Sequence, residues 1–270
     1  MLSDHALTHA LEGAGLRAPV RFEEVTPSTQ ATALAMASDG APEWTLVAAA
    51  HQTQGRGRLG RRWDDEPGRA LLFSLVLRPR LEPARAGLLS LLAGVAMAEA
   101  CELVADEGAT CLWPNDVLVA GRKAIGILAE SVAGAGSLEV VVLGVGANLG
   151  DPPASMPEAG AVDAEDHELL EAFLGAFSRR YAPAHPAFGG LVVAAFRGRC
   201  ATLGERIRAR TTEGDVVEGD AVDVDELGGL LVRTAEGERT IRFGEVEIVR
   251  DVSGARVRGD RGRGEPKGPE

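Results

Sequence analysis

Apolar positions along this chain recur with two different periods, and the change of period marks out its elements. Residues 20–25, 45–50 and 70–77 are short apolar runs bounded by Pro, Gly or charged residues, and they read as strands. The third, ALLFSLVL, is apolar at nearly every position, which predicts burial on both faces. Between the first two, residues 31–38 read as a helix that Ser28 is placed to cap and Gly40 to stop. Pro83 opens a longer helix in which Leu88, Leu91, Leu92 and Val95 fall at i, i+3, i+4 and i+7, a stripe that faces a core.

A short strand then leads to Trp113-Pro114-Asn115-Asp116. The segment VLVAGRKAIGILAE after it reads as two strands joined by a tight turn near Ala120-Gly121, and LEVVVLGVGAN as a further strand ending at Asn148. Residues 151–163 are rich in Pro, Gly and Ala and read as a loop, followed by helical patterns over 165–181 and 185–199. Beyond Cys200 the pattern shortens to strands at 206–209, 216–217, 221–224, 230–234, 239–243 and 246–249, broken by Gly-containing turns. That spacing predicts a small antiparallel barrel. The expected fold class is α+β: a mixed sheet packed with helices over residues 1–199, the barrel over 200–250, and a disordered tail over 251–270, which has almost nothing to bury.

Charge changes this picture at one place. The formal net charge is −12 and the pI about 5.0, which argues against a general nucleic-acid-binding surface. Yet residues 50–63, AHQTQGRGRLGRRW, hold Arg56, Arg58, Arg61 and Arg62 among Gly55, Gly57 and Gly60. Glycine lets backbone N–H groups approach a ligand closely, and arginine offers a planar, permanently charged fork to carboxylate and phosphate oxygens. Gly/Arg runs also occur as disordered nucleic-acid tethers. This one lies between two strands of a folded domain, where loops carry ligand sites. It reads as a local anion trap.

Three scattered cysteines, Cys101, Cys111 and Cys200, form no CxxC pair and no metal-ligand spacing, as expected in a reducing cytoplasm. The first residues lack the order of a signal peptide, and the apolar run over 87–98 is too short to span a bilayer, so a soluble protein is expected.

Four motifs in order resemble the biotin protein ligases: the Ser28-Thr29 pair, the loop HQTQGRGRLGRRW, the segment WPNDVLVAGRKAIGILAE, and GVGANLG around Asn148. The end of the barrel pattern, IRFGEVEIVR, is similar to that family's small SH3-like domain. Two positions depart from the family's habit: Leu112 stands where a lysine is usual before WPND, and Ala147 where a larger aliphatic residue precedes the asparagine. About twenty residues precede the first strand, too few for the DNA-binding domain that some members carry, so no repressor role and no nucleic-acid partner are expected.

The resemblance implies ATP-dependent ligation of biotin to a lysine of a biotin carboxyl carrier domain of a carboxylase, through biotinoyl-5′-AMP, with Mg²⁺. It assigns Ser28, Thr29, Gln30 and Gln52 to the biotin end, the first two and Gln52 by hydrogen bonds to the ureido ring. It places Arg56, Gly57, Arg58, Lys123 and Gly126 around biotin and its carboxyl, with Arg58 and Lys123 as the catalytic pair. Gly55, Arg61, Trp63, Asn115, Asp116 and Asn148 are implied at the nucleotide, with Asp116 a candidate for the metal. Ser28 as a plain helix cap, Trp63 as a core anchor, Lys123 as a solvated turn residue and Asn115-Asp116 as an Asx turn stay open. So do two other functions, a binder of biotin or its adenylate without transfer and a lipoate or octanoate transferase of the related fold. The assembly is expected to be a monomer or a homodimer, with no membrane partner.

Overall fold

The computed structural model describes residues 1–133, 136–249 and Arg256. The expected tail, 251–270, lies outside the described residues apart from Arg256. Its centre is a seven-stranded mixed sheet in the order β1-β2-β3-β7-β6-β5-β4, formed by Val20–Glu23 (β1), Leu46–Ala49 (β2), Ala70–Leu77 (β3), Ala109–Leu112 (β4), Asp116–Val119 (β5), Arg122–Ala133 (β6) and Leu138–Asn148 (β7). β1 and β2 are parallel and every other neighbouring pair is antiparallel. The β5–β6 turn is the expected one, with Ala120 and Gly121 both at positive φ.

β3 is buried along its whole length because both faces of the sheet are covered. Leu71, Phe73, Leu75 and Leu77 point into the main core, where helices Gly87–Ala105 (α3) and Asp166–Arg180 (α4) pack. Val76, on the other face, meets Val47, Val142, Ala33 and Ala37 under helix Thr29–Ser38 (α2). α2 covers only part of that second face, and the remainder of the face is the floor of a cleft.

The structure changes four expectations. A helix, Asp4–Gly13 (α1), precedes β1; Ser3 Oγ accepts from the Ala6 N–H, and Leu7, Ala10 and Leu11 are buried at helical spacing. α3 is 19 residues long, so by length and composition it meets the requirement for crossing a bilayer that the run over 87–98 does not. Its Leu88, Leu91, Leu92 and Val95 are instead buried in the main core. The second helical pattern shortens to Phe188–Arg197 (α5).

The C-terminal unit has five strands where six were expected: Arg206–Thr211 (β8), Val216–Val224 (β9), Leu230–Thr234 (β10), Gly237–Ile241 (β11) and Gly244–Ile248 (β12), ordered β11-β10-β9-β8-β12. Gly219, which reads as a break, sits inside β9. A Cβ there would lie 2.3 Å from the Arg233 carbonyl oxygen, so the glycine admits a close backbone approach and does not end the strand.

Candidate active site

The cleft opens between the N-terminus of α2, the arginine loop, the β5–β6 segment and β12. Ser28 occupies the N-cap position of α2 with extended backbone, yet its hydroxyl makes no capping bond. That Oγ is buried and has no hydrogen-bond partner, which corrects the reading of Ser28 as a plain side-chain cap. An orphaned hydroxyl facing a cleft is a site for a polar ligand atom.

Thr29 is tied inward. Its backbone N–H donates to Gln52 Oε1 at 2.7 Å, and its hydroxyl lies 3.1 Å from the same oxygen and 2.9 Å from Ser74 Oγ. Ser74 donates to Gln30 Oε1 at 3.1 Å, and Gln30 Nε2 donates to the Val142 carbonyl at 3.0 Å. The Gln30 amide is thus occupied within the protein and braces Ser74 and Thr29 from behind. With the Gln52 oxygen taken by Thr29, what Gln52 presents to the cleft is its Nε2 donor.

The arginine loop is a hairpin. Trp63 N donates to the Gly55 carbonyl at 3.1 Å, Arg56 pairs with Arg62, and Gly57 N donates to the Arg61 carbonyl at 2.8 Å. Leu59 and Gly60 turn the tip with φ of 53° and 77°. Gly55 lies against the Trp63 backbone, where a Cβ would come 2.2 Å from the Trp63 oxygen, so it shapes the hairpin and does not line the cleft.

Trp63 closes the loop by laying its indole on the sheet. A Cβ at Gly126 would meet the ring at 2.8 Å, and one at Gly146 at 2.5 Å. Gly126 thus lines the cleft and makes room there for the Trp63 ring. Gly144, two residues earlier on the same face, similarly leaves room for the Gln30 amide.

Arg58, Arg61 and Lys123 gather around Asp116 and Glu245, and each cation of the cleft has a partner. Arg56 pairs with Glu130 at 2.8 Å, Lys123 Nζ with Asp116 Oδ2 at 2.8 Å, and Arg61 with Glu245 of β12. Arg58 donates to Asn115 Oδ1 at 2.9 Å. Burial lowers the Arg58 pKa, and nearby Asp116 and Glu245 oppose that shift, so the guanidinium stays charged. Asn115 is fixed in turn, its Nδ2 donating to the Ile127 carbonyl at 2.7 Å while its own carbonyl accepts from Ile127 N at 3.0 Å. These bonds supersede a free Asx turn. Lys123 is half exposed but salt-bridged to Asp116 of the neighbouring strand, not free in solvent.

Asp116 Oδ1 is buried without a partner. One free carboxylate oxygen suits Mg²⁺, which takes one or two carboxylates and completes its shell with phosphates and water. Among the described residues, the one cluster of three candidate metal ligands, Glu165, Asp166 and His167, lines no part of the cleft. Asn148 also lies outside the cleft lining: its Nδ2 donates to the Gly160 carbonyl at 2.9 Å and straps the 149–162 loop to β7.

Several cleft residues were not singled out from sequence: Ser74, Gly144, Gly146, and Glu245, Val246 and Glu247 from β12. Leu112 lines the cleft in place of the usual lysine. None of the three cysteines does, and burial pushes the thiols of Cys101 and Cys111 up to about 12, where they are inert.

Known proteins share this chain's fold and much of its sequence. Residues 22–148 match the biotin/lipoate A/B protein ligase family and residues 202–249 the biotin protein ligase C-terminal domain. The chain is 34% identical over 242 residues to the biotin--[acetyl-CoA-carboxylase] ligase of Paracoccus denitrificans, covering 82% of this chain and 97% of that one. It is 32% identical over 238 residues to the bifunctional ligase/repressor BirA of Bacillus spizizenii, covering 84% and 73%. The biotin protein ligase of Aquifex aeolicus, solved with biotin and ATP, superimposes with a TM-score of 0.71 at 26% identity, covering 85% of this chain and 97% of that one. The chain belongs to the biotin protein ligases.

Proposed function

We propose that this protein joins biotin to ATP and passes the biotinyl group to a lysine of a carboxylase carrier domain. What carries this reading is the lining of the cleft: the unpartnered, buried Ser28 hydroxyl and the Gln52 Nε2 together with the cations Arg56, Arg58, Arg61 and Lys123. A cyclic urea matches the hydroxyl and amide groups, and a carboxylate the cations.

In the first step a biotin carboxylate oxygen forms a bond to the α-phosphorus of ATP, and the bond from that phosphorus to the pyrophosphate breaks. Two anions must meet, so Arg58 and Lys123 offset their repulsion and hold the new acyl phosphate. Asp116, with its unpartnered Oδ1, would hold Mg²⁺, which would supply positive charge beside the phosphates. In the second step the neutral amine of the acceptor lysine bonds to the acyl carbon, AMP leaves with the bonding pair, and the amine proton goes to solvent. The protein positions the partners and supplies charge, and donates no covalent group. None of the three cysteines lines the cleft, so a cysteine-based acyl transfer has no nucleophile there.

The test incubates the protein with biotin, ATP, Mg²⁺ and a purified carrier domain, and locates biotin by mass spectrometry. One biotin on one carrier lysine is expected; octanoyl transfer in its place would overturn the reading.

A further inference from the structure

The two ends of the arginine loop are joined by a pair of side chains outside the cleft. His51 Nδ1 lies 2.8 Å from Asp65 Oδ2, and the other carboxylate oxygen, Oδ1, accepts from the Gln52 backbone N–H at 3.3 Å. The Asp65 side chain is fully buried, whereas His51 is 29% exposed. A buried carboxylate must be satisfied by donors, and both of these come from the opposite end of the loop.

The placement makes the pair more than a local contact. The entering strand is already pinned, because Thr26 N donates to the His51 carbonyl and Thr53 N to the Thr26 carbonyl, each at 3.0 Å. Asp65 ties the leaving end, two residues beyond Trp63, to this fixed strand, alongside Arg62, whose Nη2 donates to the Thr53 carbonyl at 3.0 Å. The same carboxylate grips the backbone of Gln52, whose side-chain oxygen is held by Thr29 N. Gln52 is therefore held at both ends, leaving its Nε2 in one orientation. Fixing the loop's ends also reduces what must be ordered when a ligand closes it.

We infer that His51 and Asp65 are positioning residues of the ligation reaction: the pair holds Gln52 and Trp63 in the arrangement that receives biotin. This rests on Gln52 contacting biotin, so wild-type biotin-dependent adenylation is measured alongside; its absence would count against that reading and not against the pair.

The experiment compares Asp65→Ala, Asp65→Asn, His51→Ala and His51→Asn in the full chain, measuring the KM for biotin and the kcat of adenylation, with Tm recorded separately. Asp65→Asn retains a carboxamide oxygen for Gln52 N, and His51→Asn retains a side-chain N–H near the Nδ1 position. Asp65→Ala should raise the KM about tenfold, the scale of one lost charge-assisted hydrogen bond, with kcat little changed. Both asparagine variants should recover most of the loss. If Asp65→Ala does not fold, His51→Ala, which leaves Asp65 and its bond to Gln52 in place, carries the test with His51→Asn as its rescue. An unchanged KM in folded alanine variants, a fall in kcat at constant KM, or asparagine variants as impaired as the alanine ones would overturn the assignment.

Discussion

The indole of Trp63 lies so close to Gly146 that a Cβ at that glycine would sit 2.5 Å from ring atom Cε2. The ring is the inner wall of the loop, and the sheet beneath it is built without side chains so that the ring can rest there. Gly146→Ala should displace Trp63 and weaken biotin binding about tenfold or more, with a stability cost of about 1–3 kcal/mol from overpacking. Calorimetry with biotin and tryptophan fluorescence check the two halves of this expectation.

Arg58 is the cation most enclosed by the cleft, and its bond to Asn115 fixes it beside Asp116. Removing it as Arg58→Gly deletes charge-assisted bonds to the acyl phosphate, each worth about 1.5–3 kcal/mol, which raises escape of the adenylate by about one to two orders of magnitude. Biotin should still bind through Ser28, Thr29 and Gln52. Escaped anhydride acylates exposed lysines, so labelling of an unrelated lysine-rich protein should rise above the wild-type level. Labelling at the wild-type level while adenylate is made would move Arg58 from retention to the departing pyrophosphate.

Arg61 and Glu245 join the loop to the C-terminal unit through an exposed ion pair. Such pairs contribute about 0–1 kcal/mol, so Glu245→Ala should leave urea unfolding nearly unchanged. Its effect should appear in the ATP dependence of adenylation, because Arg61 loses the partner that orients it toward the cleft. Steady-state kinetics with ATP varied at saturating biotin measure this.

Trp113 of the WPND segment lines the cleft and also ties it to the C-terminal unit. Its ring is buried, with Nε1 donating to the Gly228 carbonyl at 2.9 Å, and its backbone N donates to Thr202 Oγ1. Trp113→Phe strands the Gly228 carbonyl and should cost about 1–3 kcal/mol in urea unfolding. An unchanged midpoint and slope would show that this bond does not tie the two units together.

The sequence displays what depends on period and punctuation. β3 and the β5–β6 turn appear where the apolar run and Ala120-Gly121 place them, because burial on two faces and a positive-φ turn leave local signatures. The arginine loop stands out in the sequence because it departs from the charge of the chain around it, and the structure places it along the cleft. Ser74 carried a weaker signal, the lone hydroxyl in an apolar strand, whose meaning depends on Thr29 and Gln30 arriving from another element. Gly144 and Gly146 alternate along β7, and that spacing marks one face of a strand without saying what rests on it. Glu245 could not be placed from sequence, since its partner Arg61 is 184 positions away. Gly219 was misread because a strand glycine and a turn glycine look alike until the neighbouring backbone is known.

Activation of biotin's carboxylate by ATP in the cleft is the central step, and exchange of labelled pyrophosphate into ATP measures it without any acceptor. The expected result is exchange that requires biotin and Mg²⁺, persists without a carrier domain, and falls by about two to three orders of magnitude in Lys123→Gln, the scale of losing one charge-stabilising donor. Tight biotin binding with no exchange would contradict the account and leave a protein that holds biotin without activating it.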